Sequence, residues 1–128
     1  MGSPKQSAHE TERRIRVLSA SLDPTLNQSR GLLLRDHGFD VVTCESLDHA
    51  HDQIKEHHFD VLIFGSTLSH DTCWQLAEVF RNRNAQGKIV EILPSPWAAP
   101  KNRPDAKVVS SDEPSKLIAT IHEGVAEL

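Results

Sequence analysis

Short apolar runs alternate along this chain with stretches in which apolar residues recur every three or four positions, from Ile15 onward. The densest run is Val61-Leu62-Ile63-Phe64, entered through Phe59-Asp60 and left through Gly65-Ser66. A continuous apolar run bounded by turn-formers reads as a strand buried on both faces, the central kind in a parallel sheet. Residues 15–20, 39–44, 88–93 and 106–110 read as four further strands, several of them rich in β-branched residues.

The intervening stretches read as helices. Asp23-Pro24 is a start signal with proline at the first helical position, and Leu26, Leu33 and Leu34 form the predicted inner stripe. His37-Gly38 is the stop. Ser46 caps a second helix with Leu47, Ala50 and Ile54 at i, i+3 and i+7. Asp71 or Thr72 caps a third, with Cys73, Leu76, Ala77 and Phe80 on one stripe and the polar run 81–84 at its end. A last helix opens at Glu113 or Pro114 and turns Leu117, Ile118, Ile121, Val125 and Leu128 inward. Between the fourth and fifth strands, Pro94-Ser95-Pro96-Trp97-Ala98-Ala99-Pro100 resists regular helix.

Strands alternating with helices imply right-handed crossovers and a parallel sheet covered on both faces. The predicted architecture is a flavodoxin-like (βα)5 doubly wound three-layer sandwich, its five-stranded parallel sheet ordered 2-1-3-4-5. The fourth helix is expected to be short or missing. Residues 1–13 are polar and aperiodic and read as a flexible tail, leaving 14–128 as one domain.

A chain of 128 residues is long enough to bury one core without disulfides or metal. Its formal charge of −4 leaves no nucleic-acid footprint, and the Lys101-Asn102-Arg103 cluster is too small to supply one. Cys44 and Cys73 fall on a strand and a helix and read as reduced, packed thiols. No apolar run is long enough to cross a bilayer and no cleavable signal opens the sequence, so the expected location is cytoplasmic.

The fragments Ile15-Arg16-Val17-Leu18 before Asp23-Pro24, His37-Gly38-Phe39-Asp40-Val41, Ala50, Phe59-Asp60-Val61-Leu62-Ile63-Phe64, Leu68, and Asp112-Glu113-Pro114 with Leu117 follow one another at characteristic spacings. Together, across residues 14–126, they resemble the receiver domain of bacterial response regulators. The resemblance implies a particular chemistry. Two carboxylates after the first strand and an aspartate ending the third hold Mg²⁺, and that aspartate takes the phosphoryl group. A hydroxyl after the fourth strand and a lysine after the fifth stabilise it.

Laid on this sequence, the acid pair falls on Ser21 and Leu22, with Asp23 one place too late. The phosphoacceptor position falls on Gly65, the hydroxyl on Leu93 or a neighbour, the lysine on Ser110 and the aromatic switch on Lys107. The resemblance therefore implies a degenerate receiver: the scaffold without aspartyl phosphorylation, with no cofactor and no enzymatic activity. Its expected role is a protein-interaction module whose partner is a kinase, an output domain or a second copy. Trp97, Pro96, Lys107, Ile121 and Val125 are the candidate interaction surface, with Trp97 a rigid aromatic anchor.

An alternative reading is a small-ligand or anion sensor. Gly65-Ser66-Thr67, Ser69, Ser21 and Ser110 gather hydroxyls and N–H groups at the carboxyl edge of the sheet. No glycine-rich phosphate fingerprint accompanies them. His49 with His51, and His57 with His58, lack the spacing and further ligands of a tetrahedral metal site. Eight histidines nevertheless make charge sensitive to pH between 5 and 8. Asp40 and Asp60 each precede an apolar run, where turn-forming or capping roles suffice.

Overall fold

The computed structural model describes residues 14–65, 67–94, 106–110 and 114–126. Its elements are β1 (Arg16–Ala20), α1 (Pro24–Asp36), β2 (Asp40–Cys44), α2 (Leu47–Glu56), β3 (Val61–Phe64), α3 (His70–Arg83), β4 (Lys88–Leu93), β5 (Ala106–Ser110) and α4 (Pro114–Ala126). The strands pair in parallel in the order β2-β1-β3-β4-β5. The register sets Ala20 level with Cys44 and Phe64, and Phe64 level with Glu91, so β4 runs two residues past the end of β3. The tail 1–13 and the proline-rich stretch, with Pro96, Trp97 and the expected short or missing fourth helix, lie outside the described residues.

Alternation along the strands divides the core in two. Leu18, Ala20, Leu62, Phe64 and Ile89 face α2 and α3, meeting Ala50, Ile54, Cys73, Leu76, Ala77 and Phe80. Val17, Val41, Val61, Ile63, Val90, Ile92 and Val109 face α1 and α4, meeting Leu34, Leu117 and Ile121. Each fully buried side chain of this size contributes about 1.5–3 kcal/mol. A strand with one apolar face could fill only one layer; β3 fills both, which is why its apolar run has no gaps.

The helix ends follow local chemistry. Asp23 accepts the Leu26 amide at 3.1 Å and Ser46 the His49 amide at 3.1 Å. The third helix starts earlier than expected: Ser69, not Asp71 or Thr72, is its cap. Ser69 is extended and its Oγ accepts the Thr72 amide at 3.1 Å, which places Asp71 and Thr72 inside the first turn. Gly38, at φ 89°, turns the chain out of α1.

The inner stripe of α1 also departs from expectation. Leu34 is buried, but Leu26 is exposed and Leu33 only half-buried. The buried positions are Asn27, Gly31 and Leu34. The Asn27 amide donates to the Ser19 carbonyl at 3.2 Å, the Cys44 carbonyl at 3.1 Å and Glu45 Oε2 at 3.1 Å, while its Oδ1 accepts from Ser19 Oγ at 2.7 Å. A fully bonded amide is at home in the interior, and it turns the leucines outward. At Gly31 a Cβ would lie 2.9 Å from Thr43 Cγ2, so the helix sits close on β2.

The opposite end of the sheet is held by charge. Asp60 is buried and accepts the Arg16 amide at 2.9 Å, while the Arg16 guanidinium lies 3.0 Å from Asp40 and over the Phe59 ring. The two aspartates thereby tie the entrances of β1, β2 and β3 together.

Candidate functional site at the carboxyl end of the sheet

Because strand order reverses between β1 and β3, the loops leaving those two strands diverge and frame the crevice where this topology binds ligands. Ser21 leaves β1 and Gly65 leaves β3. The Gly65 amide donates to the Ala20 carbonyl at 2.7 Å and the Ser21 amide to the Cys44 carbonyl at 3.0 Å. Ser21 is buried, and its side chain occupies the space above Gly65. A Cβ built on Gly65 would lie 2.7 Å from both Ser21 Cβ and Ser21 Oγ and 3.2 Å from the Ala20 carbonyl oxygen. Real Cβ atoms do not approach that closely, so no side chain fits at Gly65 unless Ser21 or the backbone moves.

Hydroxyls close the crevice from above. Thr67 Oγ1 accepts the Leu22 amide at 2.8 Å, Ser21 Oγ accepts the Asp23 amide at 3.1 Å, and the two hydroxyls share a hydrogen bond of 3.1 Å. The β1–α1 and β3–α3 loops are thus joined side chain to side chain. Asp23 spends its carboxylate on the cap of α1. Leu22 points to solvent, and Leu93 is buried and apolar. Ser110 is level with Leu93 across β4 and β5, and its side chain lies outside the described residues.

Several backbone donors at this edge already have acceptors. Leu22, Asp23, Leu26, Gly65, Leu68 and Thr72 all donate within the chain. Beneath the loops, Arg30 reaches Ser19 Oγ at 3.3 Å; burial pushes its pKa down, with Asp23 opposing. Burial, then the charge of Glu45, pushes the Cys44 thiol up to about 11. That keeps it protonated at neutral pH and a poor nucleophile.

Of the expected interaction surface, Lys107 is exposed on β5. Ile121 is not: it is buried with Leu117 and Val109, because the i, i+4 stripe it shares with Leu117 is the side of α4 laid on the sheet. The side chain of Val125 lies outside the described residues. His49, His57 and His58 are exposed, and among the described residues no three metal-ligating side chains converge. Two buried polar residues escaped the sequence reading. Asn27 stands i+4 from the capping Asp23 in a leucine-rich helix, and Glu91 interrupts Ile89-Val90-Ile92-Leu93. An isolated polar residue inside an apolar pattern was the available signal for both.

A parallel α/β sheet with this strand order and helices on both faces is a flavodoxin-like domain. Solved structures make the likeness more specific. A response regulator receiver protein from Sinorhizobium medicae WSM419 is 20% identical, over 90% of this chain and 97% of that one, at a TM-score of 0.76. A CheY-like receiver domain from Methanospirillum hungatei JF-1 is 19% identical, over 89% and 95%, at 0.75. A putative pilus assembly-related protein from Burkholderia pseudomallei K96243 is 17% identical, over 88% and 90%, at 0.68. These likenesses establish the receiver-type fold. The sequence matches no family model and no curated protein.

Proposed function

We propose that this chain is a receiver-type signalling domain that works without aspartyl phosphorylation, through contacts with other proteins. The observation that carries this reading is the contact between Ser21 and Gly65. The place where the receiver resemblance puts the phosphoacceptor holds a glycine, and the space its side chain would need is filled by serine. A hydroxyl and a leucine, Ser21 and Leu22, stand where that resemblance puts the acid pair, and Asp23 is engaged as a helix cap. A hard divalent cation prefers several oxygens with charge among them, and among the described residues this edge offers no such set. In this reading the domain's output resides in its surfaces, and a kinase, an output domain or a second copy are the partner classes. The free, buried cysteines accord with a cytoplasmic setting, and among the described residues no helix is long and apolar enough to cross a membrane.

The anion-sensor reading is weaker. Its essential resource is free N–H groups, and the amides of Leu22, Asp23, Leu26, Gly65, Leu68 and Thr72 are already bonded within the chain. The test is incubation with acetyl phosphate and Mg²⁺ followed by intact mass. No phosphoryl adduct is expected; a stable adduct on an aspartate would overturn the proposal.

A further inference from the structure

Strand β2 is one edge of the sheet and pairs with β1 alone. The Asp40 amide donates to the Ile15 carbonyl, and the Cys44 carbonyl accepts the Ser21 amide. Residues 40, 42 and 44 therefore turn their backbone groups to β1. Val41 and Thr43 turn theirs outward, because the polar groups of successive residues alternate between the two sides of a strand.

An open edge is a template for another strand, and proteins blunt it with lysine, proline or a bulge. The opposite edge, β5, carries the exposed Lys107. β2 reads Asp-Val-Val-Thr-Cys, with neither lysine nor proline, and its β-branched residues suit pairing. What stands at this edge instead is Arg35, from the last turn of α1. Its Nη2 donates to the Val41 carbonyl, one of the outward groups, at 3.1 Å. Gly31 makes room for the reach. A Cβ there would lie 2.9 Å from Thr43 Cγ2 and 3.4 Å from Arg35 Nη1, so the bare glycine lets the guanidinium fold back across the seam between helix and strand.

We infer that Arg35 is an autoinhibitory contact, closing the edge of β2 to a second copy of this chain. The pairing it prevents is defined by the outward groups. Two β2 strands meeting antiparallel about Val42 set Val41 opposite Thr43 of the second copy, and Thr43 opposite its Val41. Each such pair exchanges two backbone hydrogen bonds, and Arg35 holds the Val41 carbonyl in each copy, so two of the four bonds are lost. No like charges would oppose one another: Asp40 falls opposite Cys44, and Glu45 opposite Phe39. With the guanidinium gone, no lysine, proline or opposed charge takes its place.

The test is sedimentation of the full chain over a concentration series, wild type beside Arg35→Met, which keeps an apolar stem and loses every donor. The variant's mass should exceed the wild type's at each concentration, rising from 14.3 kDa toward twice that value where the wild type is monomeric. Its association constant should be about tenfold higher or more, as two recovered hydrogen bonds imply. Adding Thr43→Pro removes an outward N–H and should restore the wild-type value. Amide exchange decides the matter should the proline variant unfold: the Thr43 amide should be slowed in associated Arg35→Met and fast in the wild type. An Arg35→Met chain no more associated than the wild type would overturn the inference. So would association that survives Thr43→Pro in a folded chain, a Thr43 amide equally fast in both, or a wild type already paired through that amide. None of these outcomes bears on the proposed function, which a phosphoryl adduct would overturn whatever happens at β2.

Discussion

The contact between Ser21 and Gly65 yields a measurement that isolates it. Gly65→Ala adds one carbon at 2.7 Å from Ser21 Cβ and Oγ. Among the described glycines only Gly38 has positive φ, so alanine at 65 meets no backbone objection and the cost is steric. Forcing a methyl into filled space costs about 1–3 kcal/mol. Alanine also narrows the unfolded ensemble, which returns about 0.4–1 kcal/mol and blurs the single mutant. That entropy gain is the same whatever stands at position 21, so a double-mutant cycle with Ser21→Gly removes it. In the Ser21→Gly background both clashing atoms are gone. Urea unfolding, followed by circular dichroism, should therefore show Gly65→Ala costing about 1–2 kcal/mol more beside serine than beside glycine. A coupling below about 0.5 kcal/mol, the ordinary scatter of additivity, would mean the space is open. The case that this edge cannot house a phosphoacceptor would then fail.

Two further outcomes follow from the interior beneath it. Asn27→Ala strips partners from the Ser19 hydroxyl and from the Ser19 and Cys44 carbonyls, and should cost about 2–4 kcal/mol in urea unfolding. A loss under about 1 kcal/mol would show that water or other groups replace the amide. Cys44 gives a pH dependence of known sign. Its folded pKa, about 11, lies above the ordinary thiol value of 9.0, so between those values the unfolded state loses the proton first. The thiol's contribution is whole below pH 9, declines as pH rises toward 11, and Cys44→Ala should flatten that part of the profile. An unchanged alkaline slope in the variant would refute the assignment.

The scaffold was legible because its signals are local and repeated. The unbroken apolar run of β3, the Asp23-Pro24 and Ser46 caps, and the stripe of Cys73, Leu76, Ala77 and Phe80 each point to one state, and each holds. What periodicity mis-assigned was α1, where hydrophobicity implied that leucine faces inward. The orientation is decided instead by Asn27, whose bonds reach Ser19 and Cys44 on separate strands, contacts invisible until the chain is folded. The cap of α3 was missed by two or three residues because Ser69, Asp71 and Thr72 are all competent capping types, and only the extended backbone at Ser69 chooses between them. At the site, the residue types Ser21 and Gly65 were readable; that one fills the other's side-chain space was not, since it depends on the parallel register of β1 with β3.

That register also explains how the loops leaving β1 and β3 are joined through Ser21 and Thr67. Carboxylates clustered at the tips of β1 and β3 would repel one another and require a cation to hold the loops together. Ser21 and Thr67 need none: the hydroxyls bond to each other, and each accepts an amide from the β1–α1 loop. Under the proposed function such a pairing is indifferent to Mg²⁺ and to phosphoryl donors. A ligand shifts a conformational equilibrium only by what it contributes differently to the two states. Under the proposed function, then, information passes through this domain by occupation of a face and by the concentration of whatever binds there.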